Sequence, residues 1–270
     1  QDVYDILNKL KDIHPIINKV LQYRTLSKLY STYIIGLQEQ IFVDGKIHTI
    51  YNQALTQTGR LSSTDPNLQN NPVKTAEGKL IRKAFIPEYD YLVSFDYSQI
   101  ELRVLAHLAN VKSLIKAFNE DKDIHRHTAS EIFGVAEDEV DSTMRRNAKA
   151  VNFGIIYGMG EFKLSQQIGV SLKEAKEFIR RYFEEYPEIK QYMERVEEAC
   201  KRDGYVSTVL NRKRYIPTIH DKNFMVREQA KRFAMNSPIQ GSGADILKLA
   251  MIQVDRLMKE KHMKSQMILQ

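Results

Sequence analysis

The chain lacks the marks of several protein classes. It has one cysteine, Cys200, in 270 residues, so no internal disulfide can form. Such sparing cysteine use fits a reduced, cytoplasmic setting. No apolar run approaches the ~20 residues that a membrane-spanning helix needs, and no segment reads as a signal peptide. There is also no internal repeat and no low-complexity linker. A disulfide scaffold, a helical membrane span and a repeat array are thereby excluded.

What is present points to a globular protein with an anionic partner. Apolar residues make up 43% of the chain, enough for a sizeable core. At roughly 100–200 residues per domain, the length fits one large or two small domains. The formal net charge is +6. The cations cluster at Lys79, Arg82 and Lys83, at Arg145, Arg146 and Lys149, at Arg212, Lys213 and Arg214, and at Lys259, Lys261 and Lys264. Surface lysine and arginine mostly serve solubility, so a cluster alone is weak evidence for phosphate contact.

The most informative stretch is Met144 to Gly158, MRRNAKAVNFGIIYG. Arg145, Lys149, Phe153 and Tyr157 recur every four residues. On an α-helix each such step advances only about 40° around the axis. Two cations and two rings therefore share one face. Cations suit a polyphosphate, and rings further along suit a base and sugar. An aromatic stripe alone would more often be core, but a core does not accept unpaired cations. Gly154 costs about 1 kcal/mol in a helix interior; its missing side chain would leave room for a planar group beside the rings.

The surrounding pattern is mostly helical. Residues 1–39 read as two amphipathic helices broken near His14-Pro15. Residues 41–51 read as a hairpin turning at Asp44-Gly45. Residues 52–78 form a long polar connection, usually functional when it lies within a compact domain. Tyr91 to Phe95 reads as a strand ending at Asp96, followed by a helix from Ser98. Ser98 and Glu101 have capping-box spacing. Residues 109–200 are nearly all helical in pattern. Ser171 with Glu174 caps one helix; Pro187 opens another, which Gly204 ends. Tyr205 to Ile216 reads as a second hairpin, turning at Asn211-Arg212. Two further helices are expected near 222–235 and 242–262, parted by Pro238 and Gly241. Gln266 to Leu269 reads as a final strand. The expected fold is α+β: a sheet built from both ends of the chain, with an inserted helical lobe and a cleft between them.

Three other groups carry candidate chemistry. Asp96 stands where a strand gives way to a helix, a place suited to holding Mg²⁺, although taken alone such an aspartate is more often a helix cap. His125, in Asp123-Ile-His125, is a structural histidine or a hydrogen-bond partner for phosphate. Arg60, Asn67, Gln69 and Asn70, with Arg232, Asn236 and Gln240 spaced by four, are rich in donors. The minor groove presents acceptors at similar places for every correct base pair, so such donors test pair shape without reading sequence. The same amides also serve to stabilise loops.

Four segments, in order, resemble family A DNA polymerases, closest to the bacterial members. FDYSQIELR resembles the first carboxylate motif, RRNAKAVNFGIIYG the nucleotide-binding helix, and TQTGRLSSTDPNLQN and NSPIQGSGADI the primer-template contact segments. The resemblance covers nearly the whole chain. It implies a right-hand fold, with an antiparallel palm sheet carrying helices and an inserted all-helical fingers subdomain. Residues 1–39 would be the base of the thumb, 40–108 the first part of the palm, 109–220 the fingers and 221–270 the second part of the palm. It implies that Asp96, with the Tyr97 carbonyl, binds two Mg²⁺ ions. His125, Arg145 and Lys149 would hold the triphosphate, Phe153 the base and sugar, and Tyr157 the insertion site. Glu101 would exclude a 2′-hydroxyl, a role that competes with its capping-box reading. Arg60, Gln69, Asn70, Arg232, Asn236 and Gln240 would meet primer-template DNA.

The implied activity is DNA-templated addition of dNTPs to a primer 3′-hydroxyl by a cytoplasmic, nucleoid-associated monomer. The family's second carboxylate motif, His-Asp-Glu, would begin just past Gln270. A chain with these bounds is therefore expected to extend primers poorly, and no exonuclease domain is read. The alternatives are a single-subunit RNA polymerase and a DNA-binding module that no longer catalyses.

Overall fold

His14 and Pro15 part the first two helices. Proline suits the opening turn of a helix, where its missing N–H would have no partner in any case. In the computed structural model, which describes residues 3–72 and 75–270, α1 (Val3–Lys9) ends before this pair and α2 (Pro15–Lys28) begins on it. His14 Nδ1 caps α2 by accepting the Ile16 amide at 3.1 Å. The chain then widens into a π-helical segment, Leu29–Ile35, and closes on a short α3 (Gly36–Gln38).

These helices belong to the first of two compact units, formed by Gln1–Thr56, Leu61–Phe95 and Leu269–Gln270. The hairpin expected over 41–51 is only partly realised. The turn forms, with the Phe42 amide bonded to Lys46 O at 2.8 Å and a single bridge between Ile41 and Ile47. Beyond it the chain takes another partner. Thr49 Oγ1 meets Ser63 Oγ at 2.6 Å and donates to Pro66 O at 2.8 Å. β1 (Ile50–Asn52) accordingly pairs antiparallel with β2 (Ser62–Thr64), Ile50 opposite Thr64. Thr75 then caps α4 (Ala76–Lys83) by accepting the Gly78 amide at 3.1 Å.

Two expected strands are absent. Tyr91 to Phe95 has the apolar content of a strand, yet Tyr91 is 84% and Phe95 92% exposed. A strand exists only through a ladder to a neighbour, and among the described residues nothing pairs with this run. The same holds for Gln266 to Leu269, which is exposed and unpaired. Only Gln270 is tied, its amide donating to Tyr51 Oη at 3.1 Å. Among the described residues, the sheet expected from both chain ends is replaced by two local, two-stranded sheets. Leu21 is the one buried apolar side chain among the described residues of this unit.

The second unit, Gln57–Arg60 with Asp96–Ile268, holds the main core. Its helices are α5 (Ile100–Ala109), α6 (Lys112–Asn119), α7 (Ile124–Phe133), α8 (Ser142–Ile156), α9 (Glu161–Ile168), α10 (Leu172–Glu185) and α11 (Pro187–Asp203). Leu102, Leu105, Leu114, Ile124, Ile156, Leu164, Tyr182 and Ile189 meet in one cluster that draws on all seven. The local signals act as read. Ser171 and Glu174 form a reciprocal capping box, Pro187 opens α11, and Gly204 ends it in a left-handed conformation. β3 (Tyr205–Ser207) and β4 (Lys213–Tyr215) form the second hairpin, Val206 opposite Arg214.

The last two expected helices are one. α12 runs unbroken from Phe224 to Glu260, with Pro238 inside it. An internal proline removes a helical hydrogen bond and costs about 3 kcal/mol. Here the residues around it are buried, from Ser237 through Asp245 on the packed face. Their burial outweighs the local break, and Ser242 Oγ donates back to Pro238 O at 2.5 Å.

Candidate functional site

α8 places Arg145, Lys149 and Phe153 on one face, with Tyr157 as its C-terminal cap residue. Asp141 starts this helix by accepting the Met144 amide at 2.7 Å. Lys149 is exposed, and Arg145 and Phe153 are half-buried. The basic-aromatic line expected from the spacing therefore exists and remains reachable. Gly154 serves another purpose than the one expected. A Cβ there would lie 3.3 Å from Met159 Sδ, so it provides packing room under Met159 rather than an open face for a planar group.

α7 is tied to the basic end of α8. Asp123 caps α7, its Oδ1 accepting the His125 amide at 3.0 Å and the Arg126 amide at 3.1 Å. Its other oxygen accepts Arg145 Nε at 2.7 Å. Burial pushes the Asp123 carboxyl up, but Arg145 and the two amides outweigh it and leave it below the usual range. His125 follows, 3% exposed. Burial lowers its imidazole to about 4; the Lys149 and Arg145 cations add to that effect, while Asp123 opposes it. Asn152 Nδ2 sits 3.1 Å from His125 Nδ1 and 3.1 Å from Thr128 Oγ1. With Nδ1 accepting from Asn152, the ring is neutral at pH 7 and carries its proton on Nε2. It can donate a hydrogen bond but brings no charge.

The aromatic end of α8 meets Glu101. Tyr157 Oη donates to Glu101 Oε2 at 2.9 Å, and Arg60 forms an ion pair with Glu101 Oε1. Glu101 is only 7% exposed. Burial and then the Glu101 charge raise the Tyr157 phenol, against the opposing pull of Arg60 and of a Gln240 hydrogen bond. The capping-box reading of Ser98 and Glu101 is overturned. α5 begins at Ile100, Gln99 precedes it at φ 54°, and no side chain caps it. The carboxylate is engaged by two distant partners instead, since a buried charge needs them more than an exposed helix end needs a cap.

The four-residue repeat of Arg232, Asn236 and Gln240 follows the end of α8. Arg232 packs over Gly158, whose φ of +62° only glycine takes without strain, and a Cβ there would lie 2.7 Å from Arg232 Cγ. Asn236 Nδ2 reaches Ile156 O at 3.5 Å. With Gln240 on the Tyr157 phenol, three expected DNA-facing donors border the turn after α8.

The remaining expected residues stand differently. Asp96 and Tyr97 are exposed in the irregular stretch before α5. Among the described residues no three His, Cys, Asp or Glu side chains converge to hold a metal ion. In the first unit, Gln69 Oε1 accepts the Ser63 amide at 3.1 Å and Asn67 Oδ1 accepts the Gln69 amide at 3.0 Å. Those two amides stabilise their own loop. Asn70 accepts Tyr33 Oη on its carbonyl at 2.6 Å and leaves its side chain exposed. Two of the hairpin cations are structural: Arg214 Nη1 donates to Ser237 Oγ at 2.6 Å, and Arg212 pairs with Asp245 at 2.8 Å. Sequence reasoning missed the roles of Asn152 and Asp123. The available signal for Asn152 was a polar residue on the buried face of α8.

Comparison with known proteins is consistent in one direction. A family model described as DNA polymerase family A matches residues 3–270. DNA polymerase I of Bacillus caldotenax is 55% identical over 270 residues, and that of Bacillus subtilis strain 168 is 55% identical over 269. Each match covers 98% of this chain and 31% of the relative, so the chain spans about a third of their length. Among solved structures, the POL domain of Pol1 from M. smegmatis, in complex with DNA primer-template and dNTP, superposes with a TM-score of 0.92 at 42% identity. That match covers 100% of this chain and 48% of the other. Among the described residues no helix is long and apolar enough to cross a membrane.

Proposed function

The chain belongs to DNA polymerase family A, and from that membership we propose that it carries the nucleotide-insertion region of a DNA-templated DNA polymerase. The observation that carries this reading is the α8 line, with cations at one end and Tyr157, bonded to buried Glu101, at the other. In this reading the primer 3′-oxygen attacks the α-phosphate of a dNTP and pyrophosphate leaves. Arg145 exchanges Asp123 for the triphosphate and, with Lys149, offsets charge on the leaving group. His125 donates from Nε2 as a neutral group. Phe153 covers the base and sugar. Glu101, held by Arg60 and Tyr157, blocks a 2′-hydroxyl. Arg60, Arg232, Asn236 and Gln240, with Gln69 and Asn70, contact primer-template DNA.

The finer architecture is part of the same proposal: residues 1–39 as the base of the thumb, 40–108 and 221–270 as palm, and 109–220 as fingers. The protein works as a monomer in the cytoplasm, in DNA replication and repair. Asp96 and the Tyr97 carbonyl are the donors offered to two Mg²⁺ ions. One carboxylate falls short of what two such ions need, and among the described residues no three His, Cys, Asp or Glu side chains group to hold a metal ion. A single-subunit RNA polymerase and a catalytically silent DNA-binding module are not favoured by the family match.

The test separates a nucleotide site from a general basic patch. Arg145→Ala and Lys149→Ala should each weaken dNTP binding about tenfold, the effect of losing one charge-assisted contact of about 1.4 kcal/mol. Primer-template binding should change much less. Equal losses of both affinities would refute the assignment.

A further inference from the structure

Arg212 lies just past the turn of the β3–β4 hairpin, within a basic triplet that would be expected to face solvent. Its guanidinium is instead engaged by three protein acceptors. Nε donates to Asp245 Oδ1 at 2.8 Å, and Nη2 donates to Thr58 O at 2.7 Å and to Gly241 O at 3.0 Å. The hairpin fixes its backbone, with the Arg212 amide donating to Thr208 Oγ1 at 3.1 Å. Asp245 on α12 is buried and supplies the charge that orients the fork.

Two glycines far apart in the sequence make room for this one group. Gly59 has φ +79°, and a Cβ there would land on the Arg212 guanidinium. A Cβ on Gly241 would lie 2.9 Å from Arg212 Nη2 and 2.7 Å from Thr208 Cγ2. The segment so gripped, Gln57–Arg60, carries Arg60, the ion-pair partner of Glu101. Thr58 and Gly59 are the two residues before Arg60, so holding them limits where the Arg60 side chain can reach.

We propose that Arg212 is a positioning residue: by fixing the Thr58 carbonyl and the Gly59 backbone to α12 and the hairpin, it aims Arg60 at Glu101 and thereby sets the Glu101–Tyr157 hydrogen bond. The geometric part stands on these contacts alone; its bearing on nucleotide insertion rests on the function proposed above. Lysine cannot substitute, because a single ammonium does not present the planar fork that bridges a carboxylate and two carbonyls.

The test replaces Tyr157 by 3-fluorotyrosine and follows its phenol titration by fluorine NMR. Arg60 pulls that phenol down, so Arg60→Ala should move the titration upward. Arg212→Met should move it in the same direction. The double variant should go no further than Arg60→Ala alone, since both act through one contact. Arg214→Met, in the same hairpin, should leave it unchanged. If Arg212→Met does not fold, Gly241→Ala, which displaces the guanidinium without removing its charge, is read instead. A folded variant whose Tyr157 titrates as in the native chain overturns the proposal.

Single-nucleotide insertion by the full-length protein separates the two readings. Arg212→Met should raise the KM for dNTP about tenfold with kcat less affected; a merely structural loss would lower the active fraction and leave KM alone. Should both arginine variants shift the titration while neither alters insertion, the clamp stands and the nucleotide-site reading fails. Should Arg60→Ala impair insertion while Arg212→Met leaves both titration and KM unchanged, the clamp fails and the site reading stands.

Discussion

The stability gap between the native chain and a His125→Gln variant should narrow as the pH falls. His125 is buried against Phe153 and Asn152, and burial, reinforced by Lys149 and Arg145, lowers its imidazole from 6.5 to about 4. Between those values the unfolded chain binds the proton that the folded chain refuses. The neutral ring's contribution is therefore complete above about pH 6.5 and is lost as the pH drops toward 4. Linkage puts the loss between about pH 7 and about pH 4.5 at roughly 2 kcal/mol, a large share of a typical folding free energy. Glutamine does not titrate, so the variant is spared this loss. Urea unfolding at the two pH values, with unchanged slopes, measures the gap. A ring-proton NMR titration reads the same group directly. A gap that stays constant, or a ring that titrates near its ordinary value, would refute the reasoning. The experiment also reports on function. An inorganic triphosphate seated on Arg145 and Lys149 would offset the cations that depress the ring, so its addition should move the His125 titration upward.

Other consequences are smaller or more local. Glu101→Ala releases Arg60 and Tyr157 and empties the space assigned to the sugar gate; ribonucleotide incorporation by the full-length protein should rise at least about tenfold relative to deoxynucleotides. Unchanged discrimination would remove Glu101 from that role. Gly158→Ala forces a side chain into a left-handed turn against Arg232 and should cost about 1–3 kcal/mol by thermal or denaturant unfolding; a neutral result would mean that the turn and Arg232 relax together. Ser171→Ala should cost about 1 kcal/mol by removing a capping box, and chemical denaturation showing no change would place that helix end outside the cooperative unit.

Much of the candidate site was legible because its grammar is local. The step of four from Arg145 to Tyr157 needs only an α-helix to become one face. Ser171 with Glu174, Pro187, Gly204 and Asn211 mark boundaries through their own backbone preferences, and the boundaries fell there. Where the reading failed, a partner distant in sequence had intervened. Ser98 and Glu101 have capping-box spacing, yet Arg60 and Tyr157 took the carboxylate. Pro238 and Gly241 read as a break, yet burial on both sides carried α12 through them. Tyr91 to Phe95 has strand composition but found no ladder among the described residues. Arg212 read as one cation of a surface cluster and became the centre of a partly buried network.

Helix faces, caps and turn residues were thus written in the chain itself, because each depends on atoms within about a turn of one another. Which carboxylate is buried, which cation is free to meet a ligand and which proline is tolerated were decided only by tertiary structure. Those outcomes depend on desolvation and on partners that folding alone brings within hydrogen-bond range.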